Sequence, residues 1–250
     1  MAYVTPVHYY PTRERRLRLI VLHTMESPEN DDTAENVAGL FAGRSGTAPL
    51  ASAHACVDNN SVVLCLPPTA TAFAAPGANA DGYQIEQSGR AAQGISGWAD
   101  AYSQSMLRLS AAHARSIAQA AGIPLVYLTD AQLAAGAAGF VGHDQVSRVY
   151  KRSDHTDPGP DFPWAQYMSL VTGGSSPSTD TSEEDDMAQI IIIGTPRTDK
   201  GQDYWQVNLG TRTYAHIPTM TQLQWLQNLG IKLYASQSPA VLSGFGRTDK

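Results

Sequence analysis

The chain has 250 residues, room for one large domain or two smaller ones, with 42% hydrophobic and only 16% charged residues, below the usual ~25%. No apolar run approaches the ~20 residues of a membrane span, and no basic stripe is present to grip nucleic acid. The net charge of −6 is uneven: residues 1–171 hold 11 Lys/Arg against 15 Asp/Glu, residues 172–187 five acids and no base, and residues 188–250 six bases against three acids.

In chain order, the N-terminus "MAYVTPVHYYPTRERR" breaks with Pro and Arg before any apolar signal region forms, so no signal peptide and a cytoplasmic start are expected. "LRLIVLHT" reads as an apolar strand. "DDTAENVAGLFAGRSG" reads as a helix with acids at its start, Val37, Leu40 and Phe41 on one face, and a Gly at its end. "SAHACVDNNSVVLCL" reads as a hairpin around Asp58–Ser61, flanked by Cys56 and Cys65. A two- or four-residue loop would set the cysteines directly opposite each other and a three-residue loop would not. Without a signal peptide, buried thiols are favoured over a disulfide. "WADAYSQSMLRLSAAHARSIAQAAGIP" is a long helix stopped by Gly122 and Pro124, with His113 a structural residue within it, and "AGFVGH" is a short strand. Strands interleaved with helices predict an α/β domain.

"TGGSSPSTDTSEEDD" has no large apolar side chain and reads as a flexible acidic linker over 172–187. It separates a domain over 1–171 from a module over 188–250. In that module "AQIIIIG", "DYWQVNL" and "TRTYAHI" predict strands, and "TMTQLQWLQNLG" a helix with capping-box spacing between Thr219 and Gln222. The result is a small α+β unit.

The chemistry concentrates at two strand ends and one loop. His23 ends "RLIVLHT", His143 ends "GFVGH", and Asp157 follows in "SDHTDPGP", where the proline-rich loop holds a carboxylate in place. Asp154 and Asp161 flank it, but the Pro-Gly-Pro context favours Asp157. Two imidazoles and a carboxylate with an open fourth position form a usual ligand set for catalytic Zn²⁺.

Residues from about 15 to 170 resemble the zinc-dependent N-acetylmuramoyl-L-alanine amidases, the amidase-2 family that includes bacteriophage endolysins and peptidoglycan recognition proteins. The matching pieces, in the family's order, are "LIVLHTMES", "SAHACVDNNSVVLCLP", "GYQIEQSG" and "VGH…SDHTDPGPDFPW". The resemblance implies a mixed central sheet flanked by helices, with a peptide groove across one Zn²⁺ held by His23, His143 and Asp157. It makes Glu86 the general base on the attacking water. It puts His155 where the family often has a lysine that steadies the oxyanion, and implies that activity falls as pH rises above the His155 pKa. His54, on the hairpin, is expected to line the cleft. "TAFAAPGAN" lacks the aromatic-His pair of many relatives and leaves Phe73 and Asn79 as substrate contacts. Ala53 stands where some relatives carry a tyrosine, so Glu86 carries the base role alone.

The implied reaction is hydrolysis of the amide between N-acetylmuramic acid and L-alanine in bacterial peptidoglycan. With the linker and appended module, the resemblance points to a phage endolysin, made in the host cytoplasm and reaching the wall through holin pores. The module would anchor to the wall, with Tyr204, Trp205 and Tyr214 stacking on sugars and its positive excess meeting anionic wall polymers. Trp225 reads as core of its helix. Met187 follows "EEDD" and marks a possible second translation start, giving a separate module able to assemble with the full chain. The rival readings are a non-catalytic peptidoglycan-binding protein, a wall-recycling amidase and a phage structural protein.

Overall fold

The run LIVLHT is apolar at both strand parities, the pattern of a strand covered on both faces. It forms β1 (Leu19–Thr24), buried along its whole length. In this computed structural model, which describes residues 3–173, 190–196, 202–208, 213–217, 233–235 and 246–247, the chain divides into two units, Tyr3–Pro177 and Met1–Ala2 with Ser178–Lys250.

The first unit is built on a five-stranded sheet. Its other strands are β2 (Ala55–Val57), β3 (Val62–Leu64), β4 (Gly82–Gln87) and β5 (Gly139–Gly142), in the order β3-β2-β4-β1-β5. β1 runs parallel to β4 and β5, β2 parallel to β4, and β3 antiparallel to β2. The mixed sheet and its helices are the α/β fold expected from the sequence.

Helix α1 (Thr33–Phe41) covers the β2–β3 end through Ala34, Ala38 and Phe41, which pack with Cys56, Val63 and Cys65. Its first turn is capped from outside. Asp58, fully buried in the hairpin, accepts from the Ala34 amide at 2.9 Å with one carboxylate oxygen. With the other it accepts from Asn60 and Ser61 at 3.1 and 2.8 Å, closing the hairpin loop. Of the expected apolar face, Phe41 is buried while Leu40 is exposed. The four-residue loop pairs Val57 with Val62, so Cys56 faces Val63 and not Cys65. The expectation of opposed cysteines is corrected by two residues of register: they are diagonal neighbours, free thiols with Sγ atoms 3.9 Å apart.

The long helix starts later than its sequence pattern suggests. Trp98 ends a short α2 (Ile95–Trp98), and α3 (Ala101–Ala121) begins after Asp100, whose side chain accepts from the Ser103 amide at 2.8 Å. Gly122 ends it in the left-handed conformation, φ 68°. His113 accepts its expected structural place on this helix, 3.0 Å from the Tyr83 hydroxyl in the core. Helices α4 (Asp130–Ala134), α5 (His143–Tyr150) and α6 (Trp164–Thr172) complete the unit, α6 packing on α3.

The N-terminal arm is stitched in by Arg13. Its guanidinium donates to the carbonyls of Pro68 (2.9 Å), Ala80 (3.0 Å), Ala70 (2.7 Å) and Gly82 (3.2 Å). Burial pulls its pKa down to about 10, against the opposing charge of Asp81. Lysine cannot reproduce this fork. Arg13→Lys is expected to cost about 2–3 kcal/mol through unpaired carbonyls, read as a fall in Tm of roughly 5–10 °C.

In the second unit β6 (Ile190–Pro196), β7 (Gln202–Asn208) and β8 (Thr213–Ile217) form an antiparallel ribbon. β9 (Leu233–Ala235) and β10 (Gly246–Arg247) are added in parallel, giving the order β10-β8-β7-β6-β9. The predicted helix over 219–230, the linker from 174, Met187 and Trp225 lie outside the described residues, as does the side chain of Tyr214. Tyr204 and Trp205 are adjacent on β7 and half-buried, so strand alternation sends them to opposite faces of the sheet. They cannot form one stacking platform together.

Candidate active site

Register assembles the site. In the β1–β4 ladder His23 lies opposite Glu86 and Val21 opposite Gln84, and the period-2 alternation of strands puts Gln84, Glu86 and His23 on one face. His143 is the first residue of α5, directly after β5, the other neighbour of β1. Asp157 comes from the following loop, tied down by the Asp144 amide donating to its carbonyl at 2.7 Å. Gly159 lets that loop close: its φ is +98°, and a Cβ there would overlap the Ala91 carbonyl.

The three expected ligands meet, all buried, with their ligating atoms within 4.8 Å of one another. Asp157 Oδ2 lies 3.2 Å from His23 Nδ1, and Oδ1 lies 3.2 Å from His143 Nδ1. The outer nitrogens are committed elsewhere. His23 Nε2 is 2.9 Å from Gln84 Oε1, and Gln84 is itself fixed by donating to the Ala78 carbonyl at 3.1 Å. His143 Nε2 is 3.4 Å from the Ser153 hydroxyl, which meets Ser147 Oγ at 2.7 Å. An outer partner that takes the N–H at Nε2 leaves Nδ1 as a lone-pair donor aimed at the shared centre. The donor set therefore fits Zn²⁺, two imidazoles and a carboxylate with room for a fourth ligand.

The electrostatics agree. Burial would lower the His23 pKa, but the Asp157 hydrogen bond and the charges of Glu86 and Asp157 raise it to about 9. For His143 burial wins and its pKa is lowered. Asp157 is pushed up by burial, yet the hydrogen bonds and charges of both histidines hold it far below the carboxylate range. One proton on His23 thus occupies the place a metal ion would take. Apparent Zn²⁺ affinity is expected to rise up to ~10-fold per pH unit and to level off above about pH 9, where His23 no longer binds a proton. Calorimetric titration in buffers of different ionisation heat checks this by counting the proton released.

Around these three residues opens a cleft of about 590 Å³ lined by His23, His143, Asp157, Glu86 and His155. Its far wall is apolar, with Met25, Leu40, Leu50 and Phe73. Burial is the main reason that the Glu86 carboxyl is raised to about 7; His23 opposes this, and Asp157 and Glu26 add to it. His155 stacks on His143 with ring centroids 4.2 Å apart, its Nδ1 3.4 Å from Asp157 Oδ1 and its outer side exposed.

Phe73 and Asn79, the expected substrate contacts, both line this cleft. Asn79 also holds its loop, its Oδ1 accepting from the Ala74 and Ala75 amides at 3.1 and 2.7 Å. His54 does not reach the cleft, which corrects the expectation for it. It is fully buried, accepts from the Gln84 amide at Nδ1 (3.0 Å), stacks on Tyr83 and faces Arg13 at Nε2 (2.9 Å). Burial and the Arg13 charge lower its pKa to about 3, so it is a neutral core residue. Sequence reasoning passed over Gln84, Ser153 and Glu26. Gln84 had a signal, two positions before Glu86 and so on the same strand face; Ser153 had none.

Residues 13–160 match the family model described as N-acetylmuramoyl-L-alanine amidase. The chain belongs to this amidase family. It is a peptidoglycan amidase with the family's mixed α/β fold, and its His23–His143–Asp157 cluster can hold a metal ion. No curated protein matches. Similar solved structures include the Staphylococcus aureus hydrolase AmiA in complex with its ligand, with 18% identity over 62% of this chain and 71% of that one, TM-score 0.48. Another is the N-acetylmuramoyl-L-alanine amidase LysC from Clostridium intestinale URNW, with 15% identity over 70% and 95% of the two chains, TM-score 0.44. A mutant endolysin from Bacillus subtilis has 11% identity over 68% and 93%, TM-score 0.42. The assignment of the amidase rests on the family match.

Proposed function

We propose that the amidase is Zn²⁺-dependent and of the phage endolysin type, with His23, His143 and Asp157 as metal ligands and Glu86 and His155 as catalytic residues. The observation that carries this is the convergence of three buried ligand atoms with Glu86 at the floor of an open cleft. Zn²⁺ held there supplies Lewis acidity, polarising the scissile carbonyl and acidifying water. Gln84 and Ser153 keep both imidazoles turned inward. Glu86, paired in register with His23, takes the proton of the attacking water and returns it to the leaving L-alanine amine. His155, exposed on the cleft wall, donates to the carbonyl oxygen as negative charge develops there. The apolar wall around Leu40, Leu50 and Phe73 meets the methyl-bearing lactyl-alanine segment.

The domain reading follows as part of the proposal: a catalytic domain over 1–171, an acidic linker over 172–187 and a wall-binding module over 188–250. Tyr204, Trp205 and Tyr214 are its sugar-stacking candidates, and anionic wall polymers are a second target. Production in a host cytoplasm, holin-mediated release, host lysis, antimicrobial action and a separate product from Met187 belong to the same reading.

Digestion of purified peptidoglycan tests the chemistry. Release of stem peptides with a free L-alanine amine, abolished by chelation and restored by Zn²⁺, is the expected result. Wall binding without any new amine would favour a non-catalytic binding protein. Pull-down of walls by the 188–250 module, compared with the full chain, tests the anchor.

A further inference from the structure

Beside the catalytic cleft lies a second cavity of about 680 Å³, and the two share Pro76 and Asn79 in their walls. Its lining includes three arginines, Arg15, Arg18 and Arg152, against one acid, Asp81. Arg18 already neutralises that acid. Its Nε and Nη2 donate to Asp81 Oδ2 at 3.1 and 3.0 Å, Nη1 donates to the Ala137 carbonyl at 2.6 Å, and Nη2 reaches the Tyr150 hydroxyl at 3.2 Å. Arg15 and Arg152 are exposed and have no hydrogen bond or ion pair among the described residues.

Gly77, in the lining of the second cavity, packs closely on Tyr150. Gly77 has φ +104°, and a Cβ on it would come within 2.9 Å of the Tyr150 side chain. Only glycine lets this turn settle on Tyr150 in the lining of the second cavity. A chain with a net charge of −6 therefore keeps an electropositive pocket, two uncommitted guanidiniums wide, next to its substrate groove.

We propose that this pocket binds an oxyanion carried by the wall substrate, held by Arg15 and Arg152 over the fixed Arg18–Asp81–Tyr150 floor. Guanidinium forks bind carboxylate or phosphate by two parallel N–H bonds, so the chemistry fits a stem-peptide carboxylate or a phosphodiester of an attached polymer. The inference rests on the reading of the neighbouring cleft as the peptidoglycan groove. Arg15 and Arg152 act on binding and take no part in the bond-breaking step.

The test uses the full zinc-loaded chain with the Arg15→Gln/Arg152→Gln double variant, and Arg108→Gln on α3 as a bulk-charge control. The substrates are a muropeptide with free or amidated stem carboxylates, and walls with or without their phosphate polymers. On the anion-bearing substrate the double variant is expected to raise KM about 3- to 30-fold, the range two exposed charge pairs span, with kcat unchanged. The effect is expected to vanish near 1 M salt, where screening falls to ~3 Å. Loss confined to the free-acid muropeptide identifies the stem carboxylate, and loss confined to polymer-bearing walls identifies the phosphate. Equal kinetics of variant and wild type on every substrate, or an equal loss in Arg108→Gln, would overturn the proposal. Titration with inorganic phosphate, followed through the Arg15 and Arg152 Nε–H signals, needs no turnover. If wild type cleaved nothing, the amidase reading would fail, and absence of phosphate shifts at these two residues would separately reject the pocket.

Discussion

Glu86→Gln is expected to lower kcat for wall hydrolysis by about 100- to 10,000-fold, the range general-base catalysis contributes, while Zn²⁺ remains bound. Glutamine keeps the shape of the side chain beside His23 but cannot accept a proton. The same substitution has a stability signature. Burial holds the Glu86 carboxyl near 7, above its ordinary 4.5. A pKa raised by folding favours the folded state fully below the unfolded pKa, and that contribution fades as pH rises through the folded one. In metal-free protein the glutamine variant is therefore expected to be more stable than wild type by about 1–2 kcal/mol at pH 8, a figure reduced from ~1.36 kcal/mol per pKa unit because the side chain is partly exposed. Thermal melts at pH 5 and pH 8 measure this. A stability gap that does not widen with pH would mean that the carboxyl is not held protonated by burial.

Asp157→Ala is expected to have the larger structural effect. It removes a proposed metal ligand and also the carboxylate that bridges His23 and His143 at 3.2 Å on each side. Metal affinity is expected to fall by more than the ~10- to 100-fold typical of losing an outer-shell partner, and hydrolysis with it. Breaking a buried pair by deleting one partner costs roughly 3–5 kcal/mol. Because the Asp157 pKa is depressed in the fold, this contribution is complete above the ordinary carboxylate pKa of ~3.9 and is lost as pH falls through the folded value. The melting difference is thus expected at neutral pH and to shrink in acid. Retention of one Zn²⁺ per chain after dialysis of Asp157→Ala would remove Asp157 from the ligand set.

The legible part of this chain was the part written in local pattern. Apolar runs ending in His23 and His143 gave both strands and both imidazoles, because a strand end is where a polar side chain can leave a covered sheet. The proline-rich loop marked Asp157. What was not legible depended on register between distant segments. The pairing of Val57 with Val62 leaves Cys56 and Cys65 two residues out of register. His54 lies just before β2, and only the arrival of Arg13 from 41 residues away shows that it is enclosed. Ser153 orients His143 through a loop whose course follows from Gly159 lying against Ala91. The helix break at Ala99–Asp100 was readable in retrospect, since Asp100 has the position of an N-cap.

The Arg13 cage also fixes where this enzyme can be cut. Val4 and Val7 donate to the carbonyls of Leu64 and Phe41 at 2.9 Å, and Tyr10 exchanges backbone bonds with Thr71 at 2.9 and 3.0 Å. A minimal fragment trimmed to the first strand at Leu19 would thus strip one edge of the hairpin and remove the guanidinium from its ring of carbonyls. Engineers wanting a portable amidase core should keep the leading arm intact and attach fusion partners ahead of Tyr3.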